Sequence, residues 1–222
     1  MDEHKQEAQL KRIQKVMKNL EKNNMKALYV PAKREVPETV RMLLREGETV
    51  SVGGSMTLFE CGVMDLLRSG AYRFQDRYAP GLTQAEIQAV YVQAFTADTY
   101  LSSANAVTEN GELYNVDGNG NRVAAICYGP KSVIIVVGCN KIVAGLREAA
   151  ERVKKVAAPA NGVRLAAQTY CREKGECVSC GQDEITAGCA GEGRMCRTYM
   201  VTAAQKIPGR IKVILVGEET GY

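Results

Sequence analysis

Residues 97–138 read ADTYLSSANAVTENGELYNVDGNGNRVAAICYGPKSVIIVVG. Three apolar or alternating runs lie in this stretch, Tyr100–Thr108, Arg122–Tyr128 and Val133–Val137. Turn residues separate them: Asn110-Gly111, Asp117-Gly118-Asn119-Gly120-Asn121, and Gly129-Pro130. Asn-Gly and Asp-Gly favour positive φ and close tight hairpins, so the runs are expected to be strands with an antiparallel hairpin part. Val133–Val137 has no polar face, which predicts a strand buried on both sides. The polar turns then sit at the ends of a buried sheet, the rim where open α/β sheets bind ligands.

Working outward, residues 3–24 predict a helix, with Leu10, Ile13, Val16, Met17 and Leu20 forming one apolar stripe. Residues 27–30 predict a strand, followed by a helix from Pro37 that Gly47 ends. Thr49–Val52 is the next expected strand, and it runs through Gly53-Gly54-Ser55 into a helix to about Leu67. Tyr72–Arg77 predicts a strand, and Thr83 with Glu86 a capping box for a helix to about Phe95. Lys141–Val156 predicts a helix, 157–170 an irregular stretch around Pro159 and Gly162, and Ile211–Val216 a terminal strand that returns to the sheet. Strand–helix alternation argues for an α/β fold, an open and mostly parallel sheet with helices on both faces. The expected organisation is an α/β core over 1–170, a cysteine-rich segment over 171–198, and a C-terminal return over 199–222.

The 222 residues carry a net charge of +4, and 45% of them are hydrophobic. That composition can bury a core. The basic residues are not clustered, which argues against nucleic acid as a partner. The longest strictly aliphatic run is Val133–Val137, far short of the roughly 20 residues of a membrane span. The charged first residues lack an apolar signal region, so the expected location is the cytoplasm. The eight cysteines are then expected as reduced thiols or metal ligands.

Candidate chemistry gathers at the strand ends. Gly53-Gly54-Ser55 could bring backbone N–H groups to an anion, although neither P-loop nor GxGxxG spacing is present. Glu109, beside Asn110-Gly111, could be a nucleophile or general base, or a solvated turn residue. Asp117, Asn121 and Arg122 could fix a small polar acid, with Arg122 in two-point geometry, or could serve the turn alone. Asp98, Ser102, Ser103 and Asn105 form a further polar set. The expected rim site is Gly53, Gly54, Ser55, Glu109, Asn110, Asp117, Asn121 and Arg122, with Glu109 the catalytic candidate. Five cysteines follow in the pattern Cys171-x5-Cys177-x2-Cys180-x8-Cys189-x6-Cys196. Thiolates so placed suit zinc or an iron–sulfur cluster, or remain unligated. Residues 171–196 hold little apolar matter to offset an ordering cost of about 1–2 kcal/mol per residue, which a metal cross-link would relieve. Cys61, Cys127 and Cys139 sit in apolar settings and are expected in the core. His4, the single histidine, lies on the polar first helix and makes a His-based catalytic pair improbable.

Taken together, the N-terminal helix, SVGGSMTL at 51–58, the block 97–143 and the late cysteines resemble the lactate-utilization domain (LUD) family, within the sugar-phosphate isomerase and coenzyme A transferase superfamily. The resemblance implies an isomerase- or transferase-like open α/β sheet. Thr108-Glu109-Asn110-Gly111 is similar to the Ser-Glu-Asn-Gly motif whose glutamate attacks a thioester in coenzyme A transferases. In similar members the tail cysteines match Cys171, Cys177, Cys180 and Cys196, which implies these as ligands of an iron–sulfur cluster, with zinc as the alternative and Cys189 in an inserted loop. The function so implied is lactate or related organic-acid utilization with a small carboxylate or phosphate ligand, in the company of iron–sulfur or flavin redox proteins or a second copy of the chain. Two alternatives stand beside it. One is a transferase- or isomerase-like enzyme using Glu109, with structural zinc. The other is a non-catalytic regulatory or assembly subunit.

Overall fold

A computed structural model describes residues 2–222. Among the described residues ten strands form two sheets. The strands are β1 (Lys26–Val30), β2 (Thr49–Val52), β3 (Arg73–Gln75), β4 (Thr99–Ser102), β5 (Ala106–Thr108), β6 (Leu113–Asp117), β7 (Ser132–Gly138), β8 (Ile142–Val143), β9 (Thr198–Thr202) and β10 (Ile211–Val216). The large sheet has the order β1-β10-β7-β4-β2-β3, and every pairing in it is parallel. The small sheet has the order β8-β5-β6-β9, with β5–β8 parallel and the other two pairings antiparallel. This is the expected α/β class, a mostly parallel sheet with an antiparallel hairpin part.

The centre of the large sheet follows from its aliphatic strands. On β7, Val133, Ile135 and Val137 face a core shared with Ile13, Val16 and Leu20, while Ile134 and Val136 face a second core with Val36, Val40, Leu58 and Leu67. On β10, Val213 and Leu215 join the first core, and Ile214 and Val216 join the second. Period-2 alternation delivers apolar side chains to both faces, so Val133–Val137 and Val213–Val216 hold no polar residue. Each such side chain contributes about 1.5–3 kcal/mol when fully buried.

Helices cover both faces. The first, α1 (Glu3–Lys22), starts where the Asp2 carboxylate accepts the His4 and Lys5 N–H groups at 3.1 and 3.3 Å, and it buries Ile13, Val16 and Leu20. The second, α2 (Val36–Leu43), carries Pro37 in its first turn and buries Val36 and Val40. The helix expected after Gly53-Gly54-Ser55 is two short ones, α3 (Met56–Glu60) and α4 (Val63–Leu67), broken at Gly62 with φ 69°. The expected Thr83–Glu86 capping box opens α5 (Gln84–Gln93).

Four local expectations are corrected. Tyr100–Thr108 is not one strand: β4 lies in the large sheet and β5 in the small one. Residues 122–128 are not a strand but most of a helix, α6 (Asn121–Cys127). The reason is Asp117, whose carboxylate accepts the N–H groups of Gly118, Arg122 and Val123 at 3.0, 3.0 and 3.3 Å and so satisfies the first turn of a helix. Residues 157–170 are not irregular throughout. The helix α7 (Leu146–Arg152) passes through a π turn at Val153–Ala157 into α8 (Ala158–Arg164), where Pro159 falls in the first turn and costs no hydrogen bond. Cys127 is exposed rather than core, whereas Cys61 is buried.

The turn at Glu109–Gly111 docks α1. Gly111 has φ 80°, and a Cβ on it would lie 2.6 Å from the Asn19 carbonyl carbon and 2.7 Å from the Leu20 nitrogen. The Glu109 carboxylate bonds Arg12 Nε at 2.8 Å and Lys15 Nζ at 2.6 Å. Lys15, then Arg12, hold its carboxyl below the usual carboxylate range. Asn19 Nδ2 donates to the Glu109 carbonyl at 2.7 Å.

Two stability outcomes follow from this clamp. Gly111→Ala should lower the urea midpoint by the equivalent of about 1–3 kcal/mol with an unchanged slope, because it combines positive φ with a backbone clash. An unchanged midpoint would show that α1 does not rest on this turn. Glu109→Gln should cost less, under about 1 kcal/mol, since the cationic partners are solvated. Its folded-state pKa is depressed, so the contribution of Glu109 is present above the unfolded value of about 4.3 and is lost as pH falls through the folded value. The stability difference between wild type and Glu109→Gln should therefore vanish in acid.

Candidate functional site

The carboxyl ends of β2, β4 and β7 open on one cavity of about 590 Å³, within the usual range for small-molecule sites. Gly54 and Ser55 follow β2, Ser103, Ala104 and Asn105 follow β4, and Lys141 follows β7. Tyr222, beyond the end of β10, closes part of the wall. The opposite wall comes from the start of α6, the π turn, α8 and residues 192–197.

Six cationic side chains line the cavity, Arg77, Arg122, Lys141, Arg164, Arg194 and Arg197, against two carboxylates, Asp117 and Glu192. Among the described residues, none of the six cations is ion-paired. Asp117 is committed to the start of α6. Arg77 bonds the Tyr91 hydroxyl and lies over the rings of Tyr91 and Tyr78 at 4.4 and 5.2 Å. Arg164 donates to Asn161 Oδ1 at 2.7 and 3.1 Å. Uncompensated positive charge in a concave wall raises the local concentration of anions.

Lys141 lies deepest, only 2% exposed. The 3₁₀ turn Cys139–Lys141 breaks the chain between β7 and β8 and sends this side chain inward. Its Nζ donates to Thr57 Oγ1 at 2.8 Å and Ser103 Oγ at 3.1 Å. Burial first, then the neighbouring Arg152 and Arg122 guanidinium groups, lower its pKa to about 7.

Of the expected rim residues, Gly54, Ser55, Asp117, Asn121 and Arg122 line this cavity. Gly53 lies beneath it, and a Cβ there would meet Ser102 Oγ at 2.7 Å and the Tyr100 hydroxyl at 2.8 Å. Glu109 and Asn110 are not in its wall; Glu109 faces α1, and the Asn110 carbonyl accepts from Asn23 Nδ2 at 3.0 Å. Arg122 is expected to offer an open fork, yet both terminal nitrogens are engaged. Nη1 bonds the Ser103 carbonyl and Asn115 Oδ1, and Nη2 bonds Asn105 Oδ1 and the Val116 carbonyl, at 2.7–3.0 Å. This guanidinium ties the loop after β4 to β6 and leaves anion contact mainly to the other cations. Lys141, Arg77, Arg164, Arg194 and Arg197 escaped the sequence reading. Only Lys141 carried a local signal, a lysine three residues past a buried strand.

The cysteine segment packs behind the same wall. Its order comes from hydrogen bonds that a sequence cannot show. Lys154, from the π turn, donates to the carbonyls of Ser179 and Glu184 at 3.2 and 2.9 Å. Arg194 donates to the carbonyls of Cys196 and Thr186 at 2.8 and 2.6 Å. Cys171, Cys177, Cys189 and Cys196 border a void of about 20 Å³, together with Val153, Ile185, Met195 and Tyr199. Cys180 does not border it. Burial first, then the Cys171, Cys177 and Cys189 thiols, push the Cys196 thiol up to about 12. Among the described residues no three His, Cys, Asp or Glu side chains are arranged to hold a metal ion as they stand. No described helix is long and apolar enough to cross a membrane.

Among solved structures the chain is similar to a DUF162 family protein from Deinococcus radiodurans, at 16% identity and TM-score 0.50, covering 95% of this chain and 98% of that one. It has a partial likeness to eIF2B beta from Chaetomium thermophilum, at 16% identity and TM-score 0.37, over 53% of this chain and 44% of that one. Another is to ribose 5 phosphate isomerase A from Neisseria gonorrhoeae, at 14% identity and TM-score 0.34, over 62% and 66%. No curated protein matches the chain. The model of the LUD domain matches residues 13–216, which take in both sheets and the whole cavity apart from Tyr222; the chain therefore belongs to the LUD domain family, a family related to lactate utilization.

Proposed function

We propose that the cavity binds a small anionic metabolite, a carboxylate or phosphate, in the utilization of lactate or a related organic acid. The observation that carries this reading is the set of five arginines around one cavity, Arg77, Arg122, Arg164, Arg194 and Arg197, none of them ion-paired among the described residues. A buried charge without a counter-ion is costly, and a bound anion would relieve the cost. The alternative that uses Glu109 as a nucleophile lacks such support, because its carboxylate is engaged by Arg12 and Lys15 outside the cavity.

Calorimetric titration with lactate, pyruvate and inorganic phosphate tests the reading. At least one should bind, more weakly as salt is added, since screening acts on the same cations. Arg164→Met removes a guanidinium that is exposed and bonds only the side chains of Asn161 and Tyr222. It should weaken binding roughly 10- to 100-fold, the worth of one charge-assisted hydrogen bond, with little change in thermal stability. No binding by any of the three anions would sink the proposal.

A second reading concerns the cysteines. The donor chemistry of Cys171, Cys177, Cys189 and Cys196 fits a thiolate-bound metal, and the void of about 20 Å³ has room for one water-sized species. The sulfurs would have to turn inward to hold it. This supports one zinc ion more than the iron–sulfur cluster that the resemblance implies, and it supports Cys189 as a ligand in place of Cys180. Metal content and the ultraviolet–visible spectrum of protein purified without oxygen check it. Cys189→Ser should lose the zinc and Cys180→Ser should keep it; a visible band bleached by dithionite would favour the cluster instead.

A further inference from the structure

The hydrogen bonds around Lys141 account for its protons one by one. Thr57 Oγ1 donates its own proton to the Thr220 carbonyl at 3.3 Å, and Ser103 Oγ donates to the Ala104 carbonyl at 3.2 Å. Each hydroxyl has a single proton, so each can only accept from Lys141 Nζ. Those two bonds are at 2.8 and 3.1 Å. A neutral amine has two N–H groups and one lone pair. Two N–H groups match the two acceptors, and the lone pair is left over, on a side chain that lines the cavity. An ammonium would instead hold a third N–H in a buried place with neither hydroxyl able to take it.

The charges that face the amine act in the same direction. Arg152 and Arg122 disfavour its protonation, and Glu60 and Cys61 oppose them more weakly. Burial is the largest influence, and with its pKa lowered to about 7 the amine holds a large neutral fraction near neutral pH. Lysines kept neutral by desolvation and neighbouring cations are the ones that act as carbonyl nucleophiles.

We propose that Lys141 is a nucleophile that forms an imine with a small anion bearing a ketone or aldehyde carbonyl. The proposal rests on the anion-binding reading of the cavity, since the arginines would hold the anionic group while the carbonyl meets Nζ. In the step, the Nζ lone pair attacks the carbonyl carbon and a C–N bond forms. The carbon–oxygen bond then breaks, and the oxygen leaves as water with the two amine protons, giving C=N. Nothing is oxidised or reduced. Thr57 and Ser103 hold the amine with its lone pair toward the ligand, as positioning residues.

Reductive trapping decides it. The protein is incubated with pyruvate, or with dihydroxyacetone phosphate as the phosphate-bearing counterpart, in the presence of cyanoborohydride, and is then analysed by intact mass and peptide mapping. The expected result is one adduct whose mass is that of the ligand less one oxygen, on Lys141, saturating with ligand. The ligand that traps says whether the anionic group is carboxylate or phosphate. Lys141→Met, with cooperative thermal unfolding as the check on its fold, should lose the adduct. Calorimetry without reductant runs in parallel. Binding without any adduct overturns the imine and leaves the anion site standing. Adducts spread over exposed lysines such as Lys11 overturn it as well, and neither binding nor adduct overturns both readings.

Discussion

Val213, Ile214 and Leu215 form the joint on which the large sheet depends. They belong to β10, which pairs with β1 on one side and β7 on the other. β1 has no other neighbour in the sheet. Removing the backbone hydrogen bonds of β10 would therefore free β1 and weaken the seat of α1, whose Ile13, Val16 and Leu20 share a core with Val213 and Leu215. The same strand leads into Thr220, which accepts from Thr57 and thus fixes a hydroxyl that holds Lys141. One aliphatic segment supports both faces of the core and one wall of the cavity.

The cavity shows the opposite physics. At the sheet centre, Val133–Val137 and Val213–Val216 bury only aliphatic side chains. At the strand ends the chain concentrates cations and keeps them apart from carboxylates. Asp117, one of the two acids in the wall, spends both oxygens on backbone N–H groups at the start of α6. The result is a wall of cations hydrogen-bonded to neutral groups and without counter-ions, an arrangement that suits an incoming anion.

What could be read from the sequence follows from how local each cause is. Val133–Val137 could be placed because burial on both faces admits only such a run, and the capping box at Thr83 because its partner is three residues away. Residues 122–128 were misread as a strand because a short apolar run fits either element, and the deciding group, Asp117, acts through its side chain. Five of the eight expected rim residues, Gly54, Ser55, Asp117, Asn121 and Arg122, line the cavity because they are strand-end residues and strand ends converge. The role of Glu109 was not, because its partners Arg12 and Lys15 come from a helix more than 90 residues away in sequence. The burial of Lys141 was hidden for the same reason, since its hydroxyl partners follow β2 and β4, and only its place three residues past a buried strand is local. In the cysteine segment the spacing singles out Cys177 and Cys180, whereas Cys171, Cys177, Cys189 and Cys196 are the cysteines that border the void.

The place of β10 also bears on how the protein is made. Chains grow from the N-terminus, and domains fold as their residues emerge. Here the second strand from the sheet's edge is residues 211–216, while its outer neighbour is residues 26–30. A nascent chain can assemble β2, β4 and β7 early, but β1 has no partner until nearly all of the chain is synthesised. Until residues 211–216 emerge, the apolar stripe of α1 and, once made, the edge of β7 remain open to the surroundings. A ribosome-bound chaperone that shields the first thirty residues would meet a need written into the strand order itself.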